Sequence, residues 1–574
     1  MIGKAIGRMA QGLLALMLIF ALPGAAKEAD DPSQAPKPRP MIFGAASNFS
    51  QGFRPAVFAA AQQLPLRHYR DGMRWIDVEQ RPGQYRFTGP RRDYPARLAQ
   101  IGAELTLTVN FGNPLYDEGH TPHSPEGLAA FGRFVAAMVE KYPAITAIEV
   151  GNEFNGANFV TGPVREAGLA QRGRYHLAMV EAASQAARAV RPDIRIYGGS
   201  THSLPAGYLW PILDDGGALL DGLALHPYTT PIDQLARQIA VLRQHPLARR
   251  MPLVITEWGS ASRERAPDDM LRGYATFAAL GTQALYWYPL NERDDGLVPL
   301  IERDGTISQA GAAFSFIQAE LGERSARDIS PDAFTFAMQF GKDRMVLWGE
   351  PRDLLLARPD IEAVDARGQV LPRTLLRISP ERPILLRSPR PFALGAEVTL
   401  GCSNLIADSF YQFSYHQAAP AGPHWEPSIL SREGRLPFAV MPGQQRGGVP
   451  WNPYLAHPKV HSVRLDSETM VPSRRGGQSY AIAHRFLAAK AGQLRLIAEL
   501  SAPGRQVAPA RITIHAAGAL VFDQTIDQQH KLDQIFSLQA GEAIEVLASP
   551  AGDARSAATN YRLKLYQPDS CINP

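Results

Sequence analysis

The chain has 574 residues, of which 45% are hydrophobic and 20% charged, with a formal net charge of +4. This length exceeds a single domain and suits about three, and the composition is that of a globular protein able to bury large cores. So small a charge, with no Lys/Arg run interleaved with aromatics, excludes a nucleic-acid partner.

Lys4 and Arg8 precede an apolar run from Leu13 to Leu22, and small residues follow at Gly24, Ala25 and Ala26. The run is shorter than the roughly 20 residues that span a bilayer. It reads as a signal peptide over 1–26, cleaved after Ala26, with an uncleaved anchor as the alternative. Residues 27–40 are polar and Pro-rich, a linker. The expectation is a periplasmic or secreted protein with no transmembrane segment in its mature chain.

From 41 to 322, short apolar or β-branched runs alternate with Ala/Leu-rich helical stretches. Candidate strands are MIFGAAS (41–47), LRHYRDG (66–72), LTLTVNF (105–111), AIEVGNE (147–153), RIYGGS (195–200), GLALHPY (222–228), LVITEWG (253–259) and ALYWYPL (284–290). One helix is well marked: Ser124 caps it, Pro125 and Glu126 suit its first turn, and Leu128, Phe131, Val135 and Met138 recur at helical spacing. Eight strands with helical connections in about 280 residues are the size of a (β/α)8 TIM barrel. A doubly wound sheet would want a Gly-rich phosphate turn after the first strand, and none is present.

Beyond 323 the texture changes. Alternating runs such as FTFAMQF and RMVLWGE predict a small β domain over 323–400. Residues 401–574, with RLIAEL, ARITIHA, AIEVLA and YRLKLY, read as a β-sandwich. Its aromatics (FYQFSYHQ at 410–417, Trp425, Trp451, Tyr454) read either as a carbohydrate-binding platform or as core and interdomain packing. Cys402 and Cys571, at the edges of this segment, are the chain's two cysteines. In an exported protein they read as a disulfide, with two unpaired thiols as the alternative. Zinc would need more ligands than they supply.

Catalysis in a parallel barrel sits at the C-terminal ends of the strands. Glu153, in EVGNEFN, and Glu257, in VITEWGS, each close a strongly apolar strand, where a charge is costly unless it is used or paired. One such Glu reads equally as a strand-end ion pair. Two, on the fourth and seventh strands, suit glycosidic bond cleavage, which takes a proton donor and a second carboxylate flanking the bond.

Six stretches, in order, then resemble the clan A glycoside hydrolases, most closely family 39 and related bacterial exopolysaccharide hydrolases. They are YRDGMRWIDVEQRPGQYRF (69–87), Asn152-Glu153, His226-Pro227-Tyr228, Thr256-Glu257-Trp258-Gly259, Trp287, and GLVPLIERDGTISQAGAAF (296–314). The resemblance covers about half the chain. It implies Glu153 as acid/base and Glu257 as nucleophile of a retaining glycoside hydrolase acting on a polysaccharide or oligosaccharide. Asn152 would bind the sugar 2-hydroxyl, Arg70 would hold Glu257 ionised, and Tyr228 would donate to Glu257. His226 would contact substrate or the acid/base region, and Trp287, joined by Trp258, would form a floor under the sugar. Glu153 would need a raised pKa to keep its proton, and no metal or organic cofactor is implied.

The residues themselves leave alternatives. Arg70 reads also as a partner of Asp71 or Asp77, His226 as a satisfied strand-end histidine, and Trp287 as core. Trp75 is assigned to packing, His120 and His123 to a solvated or sugar-facing loop, and Asn110 and Asn113 to the cleft lining. Two departures from the clan pattern stand beside the catalytic pair: Gly151 where an aromatic is common, and Phe154 where a proline is. The closing run also reads Ile307-Ser308-Gln309-Ala310 in place of lysine and proline. A non-catalytic polysaccharide-binding scaffold and a transglycosylase are the alternative functions.

Overall fold

A computed structural model of the protein describes residues 39–416, 422–504 and 507–568. The expected signal peptide, almost all of the linker and Cys571 lie outside the described residues, and with them the expected export signal and the Cys402–Cys571 bond. Among the described residues no helix is long and apolar enough to cross a membrane.

Eight parallel strands close into a barrel: β1 (Ile42–Ala46), β2 (His68–Gly72), β3 (Glu104–Val109), β4 (Ile145–Val150), β5 (Arg195–His202), β6 (Gly222–His226), β7 (Leu253–Trp258) and β8 (Ala284–Trp287). β1 closes the ring by pairing with both β2 and β8. Each strand falls on one of the eight apolar runs. Strands of a parallel barrel are buried on both faces, so they read as continuous apolar runs. The marked helix forms over Pro125–Lys141, with Ser124 Oγ accepting from the Gly127 N–H at 3.0 Å.

The barrel interior is layered. Ala147, Tyr197, Ala224, Val254, Ala284 and Tyr286 pack together inside it, with Ile42 against them. Gly44 makes room for this layer: a Cβ there would lie 2.5 Å from the His68 carbonyl oxygen and 2.7 Å from the Tyr286 ring. Toward the C-terminal ends the interior turns polar, with Arg70, Thr108, Glu149, His226 and Thr256 all buried.

Two irregularities re-aim side chains at that end. Between Leu285 and Trp287 on β8 the facing β7 runs from Ile255 to Trp258, one residue longer. β5 likewise carries an extra residue between Gly198 and Thr201 against β6. Such bulges break the strict two-residue alternation of a strand and recur beside functional sites.

After the barrel, a five-stranded sheet takes Ala326–Asp328, Thr335–Phe340, Arg344–Gly349, Ile384–Arg387 and Glu362–Val364 in that order. Two larger antiparallel sheets, of eight and seven strands, follow from Leu405 onward. Strand Thr559–Tyr566 alternates buried and half-buried residues throughout, as a strand with one face on a core does. The RLIAEL, ARITIHA, AIEVLA and YRLKLY runs all lie in strands of these sheets.

The aromatics of this last region do not form a surface platform. Phe410, Tyr411, Phe413, Tyr415, Trp425 and Tyr454 are all buried. The 410–415 segment packs on the barrel: Gln234 donates to the Phe410 carbonyl at 2.7 Å and Arg237 to that of Tyr411. Trp451, 38% exposed, is the exception in the set.

Candidate active site

Arg70 and Glu149 organise the polar end of the barrel. Arg70 points inward from β2 and reaches three acceptors. Nε donates to Glu149 Oε2 at 2.6 Å, Nη2 to Asn152 Oδ1 at 2.8 Å, and Nη1 to Glu257. Glu149 follows Ala147 by two residues on β4 and so shares its inward face. It is fully buried and also accepts from the hydroxyls of Thr108 and Thr256, each at 2.7 Å. Burial alone would raise the Glu149 carboxyl, but the Arg70 charge and hydrogen bonds from His226 and Arg70 hold it well below the usual carboxylate range. Arg70 therefore pairs with Glu149 and Glu257. Asp71 instead accepts from Ser47 and Ser50, at 2.6 and 2.7 Å.

Glu153 lies just past β4 on a tightly turned segment, with φ of +85° at Gly151 and +43° at Glu153 itself. Left-handed backbone at a residue with a long side chain is uncommon and clusters at functional sites. The turn explains both departures from the clan pattern. A Cβ on Gly151 would meet Phe154 Cδ2 at 3.1 Å and the His176 ring at 3.2 Å, and the Phe154 ring is buried against that histidine. Gly151→Ala is accordingly expected to destabilise the fold by about 1–3 kcal/mol, read as a lower urea midpoint with an unchanged m-value.

Two imidazoles converge on Glu153. His202 Nδ1 lies 3.0 Å from Oε1 and His226 Nδ1 lies 3.3 Å from the same oxygen. His226 Nε2 is 3.0 Å from Thr256 Oγ1, so a hydrogen-bond chain runs from Glu153 through His226 and Thr256 to Glu149. Burial would lower His226, but Glu257, Glu149 and Glu153 raise it to about 9. Burial would raise Glu153, but the hydrogen bonds from His202 and His226 hold it down to about 2. This reverses the expected raised pKa of Glu153. Both shifts favour the charged carboxylate at Glu153 and the charged imidazole at His226.

Glu257 sits at the β7 bulge, which lets both Thr256 and Glu257 face the barrel axis. Besides Arg70 it accepts from the Tyr228 hydroxyl at 3.2 Å. One side-chain donor atom from each of Glu153, His226 and Glu257 lies within 4.8 Å of the others. Such a trio is a conceivable cation site. Both His226 nitrogens, however, are engaged by Glu153 and Thr256, and Arg70 occupies Glu257. The trio is thus already wired as a proton-sharing set.

The remaining candidates divide. Asn152 joins the cluster through Arg70, and Asn110 supports it, its Oδ1 accepting from the Asn152 N–H at 3.2 Å. Asn113 is buried and donates to the Glu79 carbonyl at 2.8 Å, holding a loop. His123 lies 3.6 Å from Asp117, away from the carboxylate pair. Trp75 is core, stacked between Tyr116 and Phe134. Trp287 and Trp258 are not an open floor. Trp287 is fully buried, its indole N–H donating to the Val298 carbonyl at 2.9 Å, and Trp258 packs edge-on against it and against Phe277. Tyr286 faces the barrel interior, so alternation turns Trp287 outward and returns Tyr288 to the inner side. Tyr288 is half-buried with its hydroxyl donating to Asp295 at 2.8 Å, and burial and the nearby Glu257 push its phenol up.

Five residues are not assigned to the cluster by sequence reasoning: Thr108, Glu149, His202, Thr256 and Tyr288. Glu149 had a signal, a carboxylate at an inward position of an apolar strand. His202 had none, because the β5 bulge alters the alternation that would assign its side.

No family model matches the chain, and no curated protein matches it. Among solved structures it is similar to a family 39 glycoside hydrolase from the gut symbiont Bacteroides cellulosilyticus, with a TM-score of 0.50, 16% identity, and coverage of 61% of this chain and 81% of that one. A family 30 endoxylanase from Clostridium papyrosolvens aligns with a TM-score of 0.45 at 13% identity, over 61% of this chain and 96% of that one. A family 39 β-xylosidase from Caulobacter crescentus aligns with a TM-score of 0.43 at 16% identity, over 61% and 97%. At this identity, the first of these likenesses establishes that the chain shares the fold of such a barrel.

Proposed function

We propose that the protein is a retaining glycoside hydrolase that cleaves a polysaccharide or oligosaccharide by double displacement. The observation that carries this reading is the pair of neighbouring carboxylates, with one carboxylate oxygen of Glu153 within 4.8 Å of one of Glu257. Retaining enzymes hold their two carboxyl groups about 5–5.5 Å apart, whereas inverting ones leave room for a water between them. The likeness to a family 39 glycoside hydrolase and the six motif stretches support the same chemistry. In this reading the chain acts on an extracellular polysaccharide, because residues 1–26 have the composition of an export signal.

Glu257, held by Arg70 and Tyr228, attacks the anomeric carbon and becomes glycosylated. Glu153 protonates the leaving oxygen and then takes a proton from the water that releases the sugar. The resting proton is on His226, and His226 Nδ1 is 3.3 Å from Glu153 Oε1, so His226 loads Glu153 as substrate displaces water. Three carboxylates face two cations, Arg70 and the protonated His226. The net negative surroundings suit a transition state that develops positive charge on the sugar ring.

This wiring predicts the pH profile. Because the pair of His226 and Glu153 must carry one proton, kcat/KM is expected to stay high through neutral pH and to fall above pH about 9. His226→Asn should move that alkaline limb to lower pH. The sign for stability is the same. A raised histidine stabilises fully below its ordinary 6.5 and loses that contribution as pH rises through about 9, so urea midpoints should decline over that interval.

A depolymerisation screen over xylan, mannan, cellulose, chitin and bacterial exopolysaccharides tests the function. Shortened chains from the wild type, absent with Glu153→Gln and Glu257→Gln, are expected. Binding without shortening would indicate a scaffold, and rearranged chains a transglycosylase.

A further inference from the structure

Residues 442–453 connect strands Ala439–Met441 and Tyr454–His457 of the C-terminal region, and they sit on the catalytic face of the barrel. The Gly207 N–H donates to the Pro442 carbonyl at 3.0 Å. Asn155 Nδ2 donates to Gln444 Oε1 at 2.6 Å. Asn452 Oδ1 accepts from the Leu204 N–H at 2.9 Å, while its Nδ2 donates to Thr229 Oγ1, also at 2.9 Å. The anchors lie on the segments that follow three successive strands, β4, β5 and β6, with Gly207 in the first turn of the helix after β5. Between them stands Trp451, its ring edge-on to His202 with centroids 5.1 Å apart and an interplanar angle of 89°. Its Cη2 also lies 3.5 Å from where a Cβ on Gly156 would be.

A tryptophan serving only to glue two domains would be covered, as Trp348 is. Trp451 is instead 38% exposed while its backbone neighbours are tied down, so a large ring is held in place with much of its surface open to solvent. It stands beside His202, which contacts the acid/base Glu153. The acid protonates the leaving oxygen, so the departing sugar lies on the Glu153 side of the scissile bond. Aromatic faces take the apolar faces of pyranose rings.

We infer that Trp451 is the platform for the leaving-group sugar, so that the C-terminal region builds that half of the cleft. The inference rests on the hydrolase reading for its direction along the substrate. Its substrate class is a chain with a pyranose on the leaving side.

Binding is measured in a Glu257→Gln background, so that it does not depend on turnover, with hexasaccharides of xylan, mannan, cellulose and chitin. Adding Trp451→Ala is expected to weaken the bound hexasaccharide at least about tenfold, in the range for removing a buried aromatic anchor. Trp451→Phe should recover most of that loss. In the otherwise wild-type enzyme, Trp451→Ala should lower kcat/KM on the hexasaccharide but not on the matching glycosyl fluoride, which has no leaving sugar. Equal loss on both substrates would mean that the ring acts through His202, and it would overturn the inference. Unchanged hexasaccharide affinity, or no bound hexasaccharide, would also overturn it. Binding through Trp451 without cutting would keep the platform and remove the hydrolase reading. Cutting at full rate by Trp451→Ala would do the reverse.

Discussion

Glu257→Gln is expected to lower kcat on the identified polysaccharide by about four to six orders of magnitude, the scale at which loss of a catalytic nucleophile is felt. The amide is isosteric: its oxygen still accepts from Arg70 while its NH2 donates to the Tyr228 hydroxyl oxygen, so the cluster should persist. The companion Glu153→Ala should lose less on substrates with good leaving groups, which need little protonation, and more on natural chains. Azide separates the two roles. It should restore turnover of Glu153→Ala with a glycosyl azide of retained configuration, because the anion then replaces the base-activated water. With Glu257→Ala it should attack directly and give the inverted azide. Exchange of these outcomes would swap the two assignments.

Arg70→Met is the second large expected effect, and it falls on stability as well as rate. Arg70 is nearly fully buried and lies 2.6 Å from Glu149, whereas His226 Nε2 stands farther off at 3.5 Å. Removing one partner of a buried ion pair while leaving the other costs about 3–5 kcal/mol. The urea midpoint should fall accordingly. Arg70→Met combined with Glu149→Gln removes both charges and should regain much of the stability, since paired removal avoids the stranded carboxylate. Activity should not return with it, because Glu257 and Asn152 would still lack their donor. Recovery of both together would reduce Arg70 to a structural residue.

The barrel was legible because its strands are apolar on both faces and its connections carry helical periodicity and capping signals such as Ser124. The two glutamates stood out as charges closing apolar strands. What stayed hidden follows from local geometry and from distance in the chain. Alternation at β8 turns Trp287 into the packing and leaves Tyr288 on the inner side, a one-residue difference that a motif match does not resolve. The β5 bulge hides His202, and the pKa of Glu153 depends on two imidazoles brought from β5 and β6. Gly151 and Phe154, departures from the clan pattern, turn out to fill each other's space. Most of the C-terminal aromatics are interior, as amphipathic sheet strands and interdomain packing require. Trp451 reaches the barrel's catalytic face from almost 300 residues beyond Glu153, a proximity that no local pattern encodes.

The most direct test is to trap the intermediate. The wild-type enzyme is incubated with a 2-deoxy-2-fluoro glycoside of the sugar that the screen releases, carrying a good leaving group, and the digested protein is read by mass spectrometry. A retaining mechanism predicts one added fluorosugar on the peptide containing Thr256-Glu257-Trp258, with activity lost in step with labelling. Label on another carboxylate, or turnover with an inverted product and no label, would contradict Glu257 as the nucleophile.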